Sequence, residues 1–312
     1  MIFKLLNIGM NEYIVIIMNT VNIGIYLTDS KKEGISWNNF LNLCDEYNKK
    51  SYIHNNYVKI IDINEHNYNK IKFNKILTKF DEFYAENSYD NKILLHLTSQ
   101  DLIDPMKNQM NVGNRIVMAE ILQEICKNYN NLFIPSYKYL TCLNYCPNLN
   151  FPIICKPNDA FGSNTAHDMC VVNDYSSLLK ANIQVPTFLQ SFHNHDEIIY
   201  KIYVVKDKIH VCIKNSISIS NENIIYFNTG NLKKNIIKHD DIQKENLIEE
   251  LQTSIDLISL SKNLSQNFGI TLFGYDIIKT SAGYAIIDVN YFPGYGGFDK
   301  FHEYLLDLLI EQ

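Results

Sequence analysis

Residues Phe273 to Asn290 read FGYDIIKTSAGYAIIDVN, two apolar strand-like runs joined by a Thr-Ser-Ala-Gly turn. Each run carries one aspartate, Asp276 beside Ile277 and Ile278, Asp288 beside Ile286 and Ile287. Pairing outward from the turn predicts an antiparallel hairpin in which Asp276 lies almost directly across from Asp288, the side-chain roots ~5 Å apart. Two like charges opposed on a sheet repel each other, and a divalent cation between them makes the arrangement favourable. Hard oxygen ligands suit Mg²⁺, which keeps several waters and is usually shared with substrate phosphates. Asn290 follows Asp288 by two residues and so projects from the same face. Asp276, Asp288 and Asn290 are therefore a candidate all-oxygen metal site. Either aspartate alone is as well explained by simple exposure, but the joint pattern, followed directly by Tyr-Phe-Pro-Gly-Tyr-Gly-Gly, favours a site.

The rest of the chain bounds what such a site can serve. At 312 residues, 46% hydrophobic and 20% charged, the composition is that of a globular protein with two or three sub-domains. The apolar run Ile14–Met18 is too short, and flanked by the wrong residues, for a signal peptide or a membrane span, so a cytoplasmic protein is expected. Seven cysteines, with no Cys-x-x-Cys, read as free thiols rather than a disulfide framework or a zinc ribbon. A net charge of −6 without a basic block argues against nucleic acid as a partner. It leaves room for a small anionic ligand held by local Lys and His residues. A monomer is expected.

Alternating elements describe an α/β first domain over residues 1–104: a strand at Val21–Leu27, a helix whose Trp37, Phe40, Leu41 and Cys44 share a face, a strand at 58–63, a helical run near 68–84 and a strand at 93–97. Asp104-Pro105 marks a boundary. A helix over 112–128 opens a central sub-domain, 105–200, which turns β-rich from Phe151. A C-terminal sub-domain, 201–312, follows, with a hairpin turning at Lys206-Asp-Lys208. Residues 220–246 read as a polar excursion, and Leu247, Leu251, Ile255 and Ile258 as one face of a helix closed by Gly269.

With these elements in place, "FGYDII", "IIDVNYFPGY", "FPIICK" and "LQSFHNHDEIIYKIYVV" together resemble the inositol 1,3,4-trisphosphate 5/6-kinase (inositol-tetrakisphosphate 1-kinase) family, a branch of the ATP-grasp fold. "GIYLTDSKK" and "DPMKNQMNVGNRIVMAEIL" extend the likeness along nearly the whole chain. The resemblance implies an α/β (α+β) architecture, an N-terminal domain and two ATP-grasp sub-domains enclosing ATP. It also implies that Lys156 lies over the ATP phosphates and Arg115 reaches ATP from the inter-domain helix. Gln190, Ser191 and Phe192 would border the adenine through backbone groups, with Ser216 and Thr229 as hydroxyl contacts. Lys201, which interrupts an apolar strand and so needs an anion or a route to solvent, would sit where ATP and inositol phosphate meet. Lys31, His167, Lys201, Lys214, Asn290 and Gly294 would hold the inositol polyphosphate, with His96 a candidate replacement for a second lysine. The loop Asp159–His167 departs from the family, having Phe161 for a histidine and one extra residue before His167.

The pair His193 and His195 has the spacing of two metal ligands on one strand face, but no third ligand is near, and the adenine linker explains the segment better. The activity implied is ATP- and Mg²⁺-dependent phosphorylation of an inositol polyphosphate hydroxyl, with Lys201, Asp288 and Asn290 at the centre of catalysis. Two alternatives stay open: an ATP-grasp carboxylate-amine ligase, and a binding module without turnover.

Overall fold

In the computed structural model, which describes residues 2–9, 12–85, 90–142, 148–160, 164–217, 222–229 and 241–311, the apolar segment ending at Tyr26 is the spine of a four-stranded sheet. Strand β1 (Ile2–Gly9) runs antiparallel to the first half of β2 (Glu12–Tyr26). Parallel to its second half run β3 (Asn56–Asp62) and β4 (Lys75–Thr78). Gly24 permits this packing, since a Cβ there would stand 2.8 Å from Ile63 Cδ1. The helix Trp37–Lys49 buries Trp37, Phe40 and Cys44 on the expected face. These elements and the C-terminal helix Phe301–Ile310 form one compact unit, residues 1–106 with 294–312.

Two expectations fail in this unit. The segment 93–97 is not a strand but part of the helix Asn91–Leu97, started by the Asp90 side chain, which accepts from Lys92 N and Ile93 N. Ile93 and Leu97, four apart, bury its inner edge. Nor is 68–84 one helix. Asn64 and Asn67 side chains bond to nearby backbone and hold turns there. β4 and a short helix, Phe80–Ala85, follow.

The second unit, residues 107–293, contains two five-stranded sheets. One has the order β12-β8-β7-β9-β6 and the other β11-β10-β13-β14-β5, with β5 (Leu132–Phe133), β6 (Tyr137–Leu140), β7 (Ile153–Pro157), β8 (Asp168–Val172), β9 (Thr187–Ser191), β10 (Ile198–Val205), β11 (Lys208–Asn215), β12 (Ile224–Asn228), β13 (Leu272–Thr280) and β14 (Gly283–Tyr291). Among the described residues of this unit, only the β14–β5 pairing is parallel. The helix expected over 112–128 is interrupted at Asn114, whose side chain caps Arg115–Cys126 by accepting from Ile116 N and Val117 N. The helix expected to carry both Leu251 and Ile258 is two. Asp256 caps the second, Leu257–Phe268, which resets the phase and leaves Ile258 70% exposed. Gly269 closes it at φ 66°. Within 220–246 the structure has strand β12. Residues 218–221 and 230–240, and Phe161 to Ser163 of the Asp159–His167 loop, lie outside the described residues.

Candidate functional site

β13 and β14 pair as the turn chemistry predicts, and Asp276 faces Asp288. Regular pairing outward from Thr280 and Gly283 would set Asp276 against Ile287. A β-bulge at Ile287 adds one residue to β14 and brings Asp288 opposite instead. Asn290 lies on the same face and donates from Nδ2 to Asp288 Oδ2 at 3.3 Å. That leaves the Asn290 carbonyl oxygen as an acceptor.

The neighbouring strand supplies the first cation. Lys201 on β10 sits in register with Asp276, and its Nζ donates to Asp276 Oδ1 at 2.7 Å. Burial opposes the Lys201 charge, but the Asp276 carboxylate outweighs it and holds the ammonium up at about 12. For Asp276 burial wins over the attraction of Lys201, and its pKa is raised. The second cation comes from the other sheet. Lys156, on β7, donates to Gln190 Oε1 at 2.8 Å and to the bulge carbonyl of Ile287 at 3.0 Å. Burial lowers it to about 8, with Arg115 adding repulsion and Asp288 and Asp276 resisting. Arg115 is 2% exposed and donates to the carbonyls of Pro157 and Asp159. Three cationic groups thus surround two carboxylates, an excess of positive charge suited to a polyphosphate.

Several buried polar atoms have no hydrogen-bond partner among the described residues: Asp288 Oδ1, Gln190 Nε2, Ser191 Oγ and Arg115 Nε. Such atoms are costly unless a ligand or ion completes them. The donor set of two carboxylates and an amide oxygen, with one carboxylate oxygen unsatisfied, fits a hard divalent cation. No group of three or more His, Cys, Asp or Glu that could hold a metal occurs among the described residues.

Lys156, Gln190, Ser191, Phe192, Asp276 and Asp288 open onto one cleft, whose empty space of about 690 Å³ includes its mouth open to solvent. Ser216 and Thr229 line it as well. Sequence reading missed its apolar walls, among them Ile154, Ile199, Ile217 and Phe227, which come from strands remote in sequence. The amides of Ser191 and Phe192 are already spent on Ser136 O and Pro152 O, so their carbonyls and side chains are what remain for a ligand. Arg115 does not line the cleft. His167 bonds to Thr229 through Nδ1 at 3.1 Å, and Lys214 is exposed on β11. His193 packs edge-on against Phe133, while His195 is buried and bonded to the His193 carbonyl and Ser216.

In the first unit Lys31 is 4% exposed, in the short helix Asp29–Gly34 just after β2. Lys79, just after the parallel strand β4, stands near enough to repel it, and this with burial, the larger cause, pushes the Lys31 pKa well below the usual lysine range. Lys79 pairs with Glu82 at 2.9 Å, and Glu82 accepts from Thr28 Oγ1 at 2.7 Å. Sequence reading passed over Lys79 because β4 was taken for helix. Residues following two parallel strands are brought together at their carboxyl ends. His96 packs edge-on against Tyr68 instead. Gly294 lies beside Gly34: a Cβ there would be 3.5 Å from the Gly34 oxygen.

Comparison with known proteins gives this geometry a context. The family model described as "Inositol 1,3,4-trisphosphate 5/6-kinase ATP-grasp domain" matches residues 134–311, more than half of the chain. The chain is 26% identical to the inositol-tetrakisphosphate 1-kinase of Danio rerio, over 91% of this chain and 77% of that one. It is 32% identical to inositol-tetrakisphosphate 1-kinase 1 of Arabidopsis thaliana, over 51% of this chain and 53% of that one. The match thus spans about half the length of the plant relative. Among solved structures, a D-alanine–D-alanine ligase from Bacillus anthracis complexed with ATP superposes with a TM-score of 0.55 at 15% identity, over 93% of this chain and 96% of that one. That likeness establishes the ATP-grasp fold. No helix among the described residues is long and apolar enough to cross a membrane.

Proposed function

The chain belongs to the inositol 1,3,4-trisphosphate 5/6-kinase ATP-grasp family, and from that premise we propose that it transfers the γ-phosphoryl group of ATP to a free hydroxyl of an inositol tris- or tetrakisphosphate. The observation that carries this reading is the facing pair Asp276 and Asp288, ringed by Lys156, Lys201 and Arg115 beside an apolar cleft. Nucleotide binding is assigned to the sub-domains 105–200 and 201–312, and the substrate-side role to residues 1–104.

In the reaction an oxygen–phosphorus bond forms from the inositol hydroxyl while the bond from the γ-phosphorus to its bridging oxygen breaks, releasing ADP and a proton. A loose transition state leaves the protein mainly to position the partners and neutralise charge. Lys156, fixed by Gln190 and the bulge carbonyl, is assigned to the phosphates of the nucleotide. Lys201, hydrogen-bonded to Asp276, is assigned to the junction of nucleotide and acceptor. Asp276, Asp288 and Asn290 would hold Mg²⁺, which would supply positive charge against the phosphates. Gln190, Ser191, Phe192, Ser216 and Thr229 are assigned to the base and ribose. Arg115, which donates to the carbonyls of Pro157 at the end of β7 and of Asp159 just beyond it, is assigned to shaping that strand end towards the phosphates. Lys31 with Lys79, and His167, Lys214, Asn290 and Gly294, are assigned to the inositol phosphate groups. A cytoplasmic location accords with the unpaired thiols.

Incubation of the protein with ATP, Mg²⁺ and a panel of inositol tris- and tetrakisphosphates, resolved by anion exchange, tests the reading. A new and more highly phosphorylated product is expected, reduced about 10²–10³-fold in a folded Asp288→Ala variant, the scale of losing one preorganised electrostatic contact. ATP binding without transfer to any acceptor, or full activity of Asp288→Ala, would overturn it.

A further inference from the structure

His195 is 6% exposed and borders the cleft, yet the reaction above gives it no work. Both its ring nitrogens are engaged. Nδ1 lies 2.7 Å from the His193 carbonyl oxygen, which can only accept, so Nδ1 carries the hydrogen. Burial lowers the His195 pKa and keeps the ring neutral, despite the His193 carbonyl and the charges of Asp196 and Glu197. Nε2 is then a bare acceptor, and Ser216 Oγ, 2.7 Å away, is its donor. The single hydroxyl hydrogen is spent inside the wall, so lone pairs are what Ser216 presents to the cleft.

The backbone is shaped to hold this pair. Asp196 and Glu197 both adopt left-handed angles, φ 51° and 62°, which non-glycine residues rarely take. The resulting turn lets Ile198 N donate to His195 O and Ser216 N donate to Glu197 O at 2.7 Å. Histidine and serine are thereby anchored by main chain on both sides.

We propose that His195 is a positioning residue for nucleotide choice: by accepting the Ser216 hydroxyl's hydrogen bond it leaves Ser216 an acceptor only, so the cleft selects a nucleotide with a hydrogen-bond donor at that point. This rests on the nucleotide assignment above. Two parts of ATP offer such a donor, the exocyclic amine of the base and a ribose hydroxyl. A base with an oxo group in place of the amine would set acceptor against acceptor, and a deoxyribose would leave Ser216 unanswered.

The test measures binding of ATP, ITP, 2′-deoxy-ATP and 3′-deoxy-ATP by displacement of a fluorescent ATP analogue. It uses the whole chain and its Ser216→Ala, Ser216→Thr and His195→Phe variants, each checked for fold by circular dichroism. The wild type and Ser216→Thr are expected to bind one analogue about tenfold more weakly than ATP, the ratio shrinking to about twofold in Ser216→Ala and His195→Phe. ITP as the weak analogue identifies the base amine as the source, and a deoxy analogue identifies the ribose. Should His195→Phe fail to fold, the contrast of Ser216→Ala with Ser216→Thr carries the test. ATP binding with the same analogue ratios in every variant overturns this inference alone. A wild type that binds no nucleotide overturns the functional reading with it.

Discussion

Lys156 is a charge kept away from water. It is 5% exposed, and its ammonium, pushed down to about 8 by burial, is held by one side-chain oxygen and one carbonyl. Because the folded value lies below that of an unfolded lysine, the unfolded chain binds more protons between about pH 8 and pH 10, and this group's contribution to stability rises with pH there. Its proposed service to phosphate runs the other way, since the charge is lost as pH rises through about 8. ATP affinity should therefore weaken above pH 8 by up to about tenfold per pH unit, the limit for one linked proton. Lys156→Arg should flatten the profile, arginine staying charged. Binding titrations from pH 7 to 9.5 check this, and a flat wild-type curve would remove Lys156 from the phosphates. At this scale the sequence was legible where a residue's partner is local. Asp276 and Asp288 are joined by a single turn, so counting brings them within one residue of facing each other, and the bulge at Ile287 closes the difference. Lys79 and Lys31 meet only because β4 lies beside β2, and nothing near either lysine announces it.

The hairpin β13–β14 depends on two backbone features. The bulge at Ile287 brings Asp288 opposite Asp276 and turns the carbonyl of Ile287 into a support for Lys156. Gly283 starts β14 at φ 119°, a conformation open to glycine, and a Cβ there would stand 3.0 Å from the Asn131 oxygen, which already accepts from Tyr284 N. Gly283→Ala should cost about 1–3 kcal/mol, the range for a side chain forced into such a conformation. Chemical denaturation measures it, and an unchanged midpoint would show that the turn relaxes freely. The elements misread from sequence share a cause. At 93–97 and 68–84 the apolar residues fit either period, and one or two polar side chains decide between them: Asp90 capping a helix, Asn64 and Asn67 bonding to turns.

Across the whole molecule, the two units differ in what nucleotide can do for them. The cleft residues all belong to residues 107–293. ATP with Mg²⁺ at a hundred times its Kd adds about 2.7 kcal/mol to the unit that binds it. Hydrogen exchange should then slow in β7, β9, β13 and β14 while β3 is little changed with nucleotide alone. Protection confined to residues 1–106 would contradict the assignment of the cleft.

The sequence by itself determined the hairpin, an aspartate on each of its strands, the family and most of the polar residues around the cleft, because these follow from short-range periodicity, turn chemistry and motif. Only the tertiary structure decided the bulge that aligns Asp288, the cavity walls, the nearness of Lys79 to Lys31 and the bond that orients Ser216 through His195. Each of these depends on strands distant in sequence meeting in one register, and on burial, which sets the charge a group keeps and the proton it must share.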